Sequence, residues 1–191
     1  MIIVEWLIAL DHNTIFWVQN NLISSTITPF MKNLSWLGNM GKIWIFLDVI
    51  LLCIRKYRRV GMAVFITLFF SLVIGDGLLK HTIMRTRPCI DYPWVPLHLP
   101  MPAANDYSFP SVHAFSSFAA AFVMVKGIKS RWILLMFVLA GGIAFSRVYL
   151  FMHYPSDVLI GALLGIASGL IAWYLSGKLF LWHKNSIKKQ F

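Results

Sequence analysis

The chain has 191 residues, 59% hydrophobic and 13% charged, with a mean hydropathy of +0.72, which excludes an ordinary soluble domain and points to a polytopic membrane protein of about one domain's length. The net charge of +10 does not imply nucleic acid. Eleven of the 17 basic residues fall in three short places (Arg55, Lys56, Arg58 and Arg59; Lys126, Lys129 and Arg131; Lys178, Lys184, Lys188 and Lys189), each at the end of an apolar run, and no separate basic domain exists to carry such binding.

Residues 1–37 mix apolar side chains (Trp6, Leu7, Leu10, Ile15, Phe16, Val18) with Glu5, Asp11, His12, Asn13, Gln19, Asn20 and Asn21. No uninterrupted apolar run of about 18 occurs there, so interfacial helices are expected, with a polar-spotted sixth span as the alternative. Glu5 and the lack of a basic leader argue against a cleavable signal, so targeting rests on the spans. The first span is expected from about Lys42 to Ile54, beginning as early as Leu34. Asp48 lies inside it, either functional or bonded to a neighbouring helix. Val60 to Leu79 reads as the second span, with Asp76 one turn before Lys80 as an i,i+4 ion pair.

Residues 80–110 hold six of the eight prolines and read as a long loop, a lid or entrance, with Tyr92, Trp94 and Leu97 resting at the interface. Ser111 to Val125, Trp132 to Leu150 and Val158 to Leu175 complete the spans. Gly161, Gly165 and Gly169 form a four-spaced stripe suited to close helix contact. The expected fold is therefore all-α: one membrane-embedded domain over 1–191, a bundle of five to six transmembrane helices plus N-terminal interfacial helices. Cys53 and Cys89 fall near opposite faces, and both are expected to be free. If the basic places are cytoplasmic, so is the C-terminus, and 80–111 and 146–157 both lie on the extracytoplasmic side.

Three segments meet on that side: Lys80 with Arg87-Pro88; Pro110-Ser111-Val112-His113 at a helix start; and Ser146-Arg147 followed by His153 and Asp157. This is the inventory of a phosphoryl-transfer site. Lys80, Arg87 and Arg147 can neutralise phosphate oxygens, Ser111 can donate a hydroxyl, and the amides of the helix start, Val112 among them, add an anion site. Asp157 follows His153 by four, within reach of one ring N–H, so attack on phosphorus falls to His153 and protonation of the leaving oxygen to His113. No cluster has metal-ligand spacing, so neither metal nor cofactor is expected.

At these residues the chain resembles the type 2 phosphatidic acid phosphatase superfamily of integral-membrane lipid phosphatases, whose pattern K-x6-RP, PSGH and SR-x5-H-x3-D occurs here in order from Lys80 to Asp157. Val112 stands where the family has glycine, a change that keeps the backbone N–H. The resemblance implies a phosphohistidine on His153 oriented by Asp157, His113 as the acid, and Lys80, Arg87, Ser111 and Arg147 as phosphate holders, without metal. It is greater to the short bacterial members, which implies a polyprenyl diphosphate such as undecaprenyl diphosphate as substrate. Phosphatidylglycerophosphate, phosphatidate and lipid A are the alternatives. A non-catalytic anionic-lipid binder or transporter would use the same cations but leave both histidines without a task, and a vanadate haloperoxidase would not need the spans. The bilayer and a lipid phosphate are the implied partners; the oligomeric state stays open.

Overall fold

Hydrophobic patterning becomes helix throughout: in the computed structural model the regular elements among the described residues, 2–103 and 105–188, are all helical. Lys189 of the C-terminal basic group lies outside the described residues. The chain runs α1 (Ile2–Asn21), α2 (Ile27–Gly38), α3 (Lys42–Cys53), α4 (Arg58–Phe70), a π-helical stretch Ser71–Leu79 leading into α5 (Lys80–Ile83), α6 (Pro88–Asp91), α7 (Val112–Gly127), α8 (Leu135–Tyr149) and α9 (Pro155–Lys188). Among the described residues three stretches of helix, interrupted by short breaks in the first two, are long and apolar enough to cross a membrane, Ile27–Cys53, Arg55–Asp91 and Pro155–Phe180; α7 and α8 are shorter apolar helices. Large apolar side chains such as Phe46, Phe65, Leu72, Val138, Leu159 and Leu163 point outward from these helices, as lipid-facing residues do.

The first candidate span begins at Ile27, earlier than the expected 34–42, so the second part of 1–37 belongs to a helical stretch long and apolar enough to cross a membrane, in line with the alternative of a further span. The apolar run was hidden by a break: Asn39–Gly41 forms a tight turn in which Met40 has φ 52° and Gly41 φ 69°, the left-handed region that suits Gly41 and strains Met40. Lys42 covers the kink by lying 4.3 Å over the Trp36 ring. Helix α1 packs across α8 and α9 through the buried Ile15 and Val18 and leaves Trp6, Leu7 and Leu10 exposed.

Helix α7 is the central post. Ala114, Phe115, Ser117, Ala119, Ala120 and Ala121 are all buried, and α4, α8 and α9 pack around it. Trp44 of α3 is fully buried and donates its indole N–H to Ser117 Oγ at 2.8 Å, which satisfies the one polar atom that burial would otherwise strand. The glycine stripe of α9 lies against α7 with no space to spare. A Cβ on Gly161 would stand 2.6 Å from the Ser111 carbonyl oxygen, and one on Gly165 would clash with that of Phe115. Asp48 is buried in α3 with Oδ1 unpartnered.

Among the described residues the beginnings of the three basic places lie at one end of the bundle, where a Cβ on Gly177 would meet Arg59. Arg59 lies 4.2 Å over the Trp173 ring, and a Cβ on Gly127 would meet Val60 and Trp173 together. Cys53 is exposed and Cys89 buried, and both are free. Tyr92 and Leu97 turn inward rather than to the interface: Tyr92 packs edge-on against Phe16 of α1 at 5.0 Å, and only Trp94 stays exposed.

Because the α7–α9 contacts are to backbone, no rotamer change can relieve an added side chain. Gly165→Val should lower stability by about 1–3 kcal/mol or more, read as a fall in thermal midpoint in detergent. Gly141→Ala, where nothing lies within 4 Å of a new Cβ, should leave it unchanged.

Candidate active site

The first motif is shaped by two backbone rules. Met84 takes a left-handed φ of 50° and ends α5 after Lys80. Arg87, preceding Pro88, is held extended at φ −87°, ψ 150°, while Pro88 opens α6. Lys80 and Arg87 are both buried. Lys80 Nζ contacts Asp76 at 2.8 Å, the expected i,i+4 pair, and Asp106 Oδ1 at 2.9 Å. Arg87 donates from Nη2 to the same Asp106 oxygen at 2.8 Å and from Nε to the Asp106 carbonyl at 2.7 Å. Burial alone would raise the Asp106 pKa, but the hydrogen bonds and charges of Arg87 and Lys80 prevail and hold it at about 2.

The third motif is a tight loop between α8 and α9. The Arg147 carbonyl accepts the amides of Met152 at 2.9 Å and His153 at 3.2 Å, and Phe151 makes the turn at φ 61°. His153 is thereby buried with its ring between two different partners. Arg87 Nη1 lies 3.1 Å from Nε2. A guanidinium only donates, so Nε2 carries the lone pair and Nδ1 the proton. Nδ1 faces Ser108 Oγ at 3.4 Å and Asp157 Oδ2 at 3.7 Å.

Asp157 is therefore close to His153, but not as a direct hydrogen-bond partner: the Ser108 hydroxyl donates to Asp157 Oδ2 at 2.5 Å and stands between them. Asp157 Oδ2 also accepts the Tyr154 amide at 2.9 Å, the reciprocal contact of a capping box at the start of α9. Asp157 Oδ1 takes Arg85 Nη1 at 2.7 Å. Arg85 is a cation outside the three motifs. It also donates from Nη2 to the buried Asp11 of α1 at 2.7 Å and lies 4.1 Å over the Tyr154 ring.

The second motif joins through the backbone: the Ser111 amide donates to the Asp157 carbonyl at 3.1 Å. Ser111 Oγ is fully buried without a partner. Val112, the first residue of α7, keeps an ordinary negative φ, so its branched side chain is no strain, and a Cβ on Gly75 would lie 3.5 Å from its Cγ2. The amides of this first turn have no intrahelical acceptor. Arg147 donates from Nη1 to Ser35 Oγ at 2.5 Å, and its Nε is buried without a partner. His113 bonds to none of the other motif residues; its Nε2 meets Asn39 Oδ1 at 2.9 Å, at the kink between α2 and α3.

The structure thus joins Lys80, Arg87, Ser111, Arg147, His153 and Asp157 through direct bonds or adjoining backbone, and holds His113 from the other side through Asn39. Sequence reasoning missed Asn39, Ser35, Arg85, Asp106, Ser108 and Asp11. Arg85, two residues before Arg87, and Asp106 and Ser108, just before Pro110, adjoin the motifs and carry a weak signal; Ser35 and Asn39 carry none. Among the described residues no group of three His, Cys, Asp or Glu side chains gathers as a metal holder.

Burial first, then the charges of Arg87, Arg147 and Lys80, pushes the His153 pKa well below the ordinary 6.5. In the unfolded chain His153 titrates near 6.5. Between the folded and unfolded values the unfolded chain binds the extra proton. The stability contribution is therefore complete above about pH 6.5 and declines as pH falls below it, by up to about 1.4 kcal/mol per unit. The thermal midpoint should drop from pH 7 to pH 5 more steeply in wild type than in His153→Asn; equal slopes would show that His153 protonates within the fold.

Comparison with known proteins returns one family: residues 57–181 match the PAP2 superfamily. An undecaprenyl-diphosphatase of Sulfolobus acidocaldarius is 34% identical over 143 residues, 74% of this chain and 66% of that protein. A decaprenylphosphoryl-5-phosphoribose phosphatase of Mycobacterium tuberculosis is 38% identical over 52% of each chain. The matched stretch spans between half and two thirds of these relatives' lengths. The crystal structure of Aquifex aeolicus LpxE superposes with a TM-score of 0.70 at 27% identity, covering 85% of this chain and 94% of that one.

Proposed function

The chain belongs to the PAP2 superfamily, and on that premise we propose that it is a single phosphatase domain that removes the terminal phosphate of a membrane lipid through a phosphohistidine on His153. The observation that carries this is the tautomer. Nε2 of His153 bears its lone pair beside Arg87, and Nδ1–H points at Ser108 and Asp157, so the ring is neutral and oriented for attack.

In the proposed reaction Nε2 attacks phosphorus, the bond from phosphorus to the lipid oxygen breaks, and His113, fixed by Asn39, gives that oxygen its proton. Water then hydrolyses the P–N bond. Arg87, Lys80 and Arg147, the Ser111 hydroxyl and the Val112 amide hold the phosphate oxygens, where charge spreads in the transition state. Asp157, through Ser108, stabilises the His153 ring as it becomes positive. No step calls on a metal. A binding or transport protein would use the cations alone and leave this oriented ring without a task.

For the substrate, the reading supported best is a polyprenyl diphosphate, undecaprenyl diphosphate above all. The S. acidocaldarius relative bears that activity in its name, and the M. tuberculosis relative is named for another polyprenyl-linked phosphate. Phosphatidylglycerophosphate, phosphatidate and lipid A are the alternatives. The proposal extends to orientation in a cell membrane: the clustered basic residues support, by the positive-inside rule, a cytoplasmic C-terminus and a site on the extracytoplasmic side.

With purified protein in detergent and EDTA, phosphate release should be fastest from undecaprenyl diphosphate among these lipids; activity lost in EDTA and restored by Mg²⁺ would overturn the histidine mechanism. Acid quench should trap a phosphoenzyme in wild type and none in His153→Ala. His113→Ala should lose about 10² to 10⁴ in rate on a lipid phosphate yet keep activity on an activated aryl phosphate. Phosphate trapped in His153→Ala would reverse the roles.

Orientation has its own check. In a chain lacking Cys53, Asn105→Cys should react with an impermeant maleimide on intact cells and Ser130→Cys should not; the reverse pattern places the site in the cytoplasm.

A further inference from the structure

Two of the cations assigned above to phosphate already share one carboxylate. A single oxygen, Oδ1 of Asp106, accepts from both Lys80 Nζ and Arg87 Nη2, at 2.9 and 2.8 Å. That guanidinium is the one whose other terminus touches His153 Nε2. The Asp106 oxygen therefore lies where an oxygen of a phosphate attached to His153 would bind. By contrast, Ser111 Oγ and Arg147 Nε, on the other two motifs, are buried donors without a partner among the described residues. The Asp106 side chain is 40% exposed while the Lys80 and Arg87 side chains are 11% and 3% exposed. It is the one member of this triad with solvent to move into.

We propose that Asp106 is the resident counter-ion of the phosphate cradle, which every anion must displace and which thereby sets a threshold that terminal phosphates pass and phosphodiesters do not. This inference rests on the phosphatase reading above. A terminal phosphate carries a charge of about −1.5 to −2 at neutral pH, and a phosphodiester carries −1. Exchange of a carboxylate for a diester leaves the charge on Lys80 and Arg87 unchanged, whereas a terminal phosphate adds to it. The displacement cost falls on both ligands alike. It pushes the weaker, diester, below occupancy and leaves the stronger bound. In a bilayer whose headgroups are mostly diesters, a cradle without Asp106 would leave Arg87 open and Lys80 with Asp76 alone, and the surrounding lipid would bind there.

The backbone allows the charge to be tested apart from the loop. The Asp106 carbonyl takes Arg87 Nε at 2.7 Å, the Asp106 amide donates to the Ala103 carbonyl at 2.9 Å, and the Ser108 amide donates to the Arg85 carbonyl at 2.8 Å. All three survive a change of the Asp106 side chain. Asp106→Asn keeps the acceptor oxygen and removes the charge; Asp106→Ala removes both and guards against one variant failing to fold.

The probes are inorganic phosphate and diethyl phosphate, titrated by calorimetry into purified full-length protein in detergent, with phosphatidylglycerol added to mixed micelles during turnover. Loss of a charge-assisted competitor should tighten both anions about tenfold and make phosphatidylglycerol an inhibitor at mole fractions that wild type ignores. A merely structural Asp106 would weaken both anions. Affinity for either anion unchanged or weaker in both variants, while wild type hydrolyses lipid phosphate normally, overturns the inference alone. A wild-type protein that neither hydrolyses lipid phosphate nor binds phosphate overturns the reading beneath it as well.

Discussion

Everything at the head of this bundle is arranged around one buried negative charge, the fully buried carboxylate of Asp157. A carboxylate taken out of water is tolerated only when its lone pairs are satisfied and its charge is paired. Here Ser108, the Tyr154 amide and Arg85 all donate to it, and its own carbonyl receives the Ser111 amide. These four come from three segments: the stretch leading into α7, the loop before α9, and the loop after α5. The segments that carry the three motifs are thus pinned to each other by the need to keep one ion solvated without water. Arg85 in turn requires Asp11, which also accepts the Ser156 amide at 2.8 Å, so α1 is fastened to the same ion.

That pinning works only because the helices beneath it come close. Small residues bring α7 and α9 nearly into backbone contact, and Gly161 lies against the carbonyl of Ser111 itself. The packing of a helix pair and the placement of Ser111 are here one constraint. Gly38 plays the same part on the opposite side, where a Cβ would stand 2.8 Å from His113 Cδ2. The kink that follows it brings Asn39 to that ring. A straight α2–α3 helix would present neither.

Much of this was legible in the sequence, and the boundary is physical. Lys80, Arg87, Ser111, Arg147, His153 and Asp157 stood out because turn and helix geometry fix their spacing within short stretches. The Gly161 stripe was legible because its period is that of a helix face. What stayed hidden depends on distance along the chain. Arg147 meets Ser35 across 112 positions, His113 meets Asn39 across 74, and Arg85 meets Asp11 across 74. No local pattern encodes such pairs. The onset of the first span at Ile27 was masked by its kink, since hydropathy counts residues and does not see that two helices end to end cross the same slab. Tyr92 and Leu97 were misplaced for a related reason: an aromatic residue satisfies itself as well against a protein face as against lipid, and only the fold says which is nearer.

The charge inventory ties the fold back to its chemistry. The chain carries +10 overall, yet the cations at this end are almost balanced by carboxylates. Arg85 is consumed by Asp11 and Asp157, and Lys80 and Arg87 are met by Asp76 and Asp106. Arg147 differs, since its hydrogen bond goes to a neutral hydroxyl, Ser35, and its Nε has no acceptor. A buried guanidinium left in that condition is costly, and its cost falls when an anion reaches it. The unmatched positive charge of this end therefore sits beside the loop that carries His153, and the matched charges serve either to hold the fold or to be exchanged. Arg85 belongs to the first kind, with both its carboxylate partners buried. Asp106, half in solvent, has the freedom of the second.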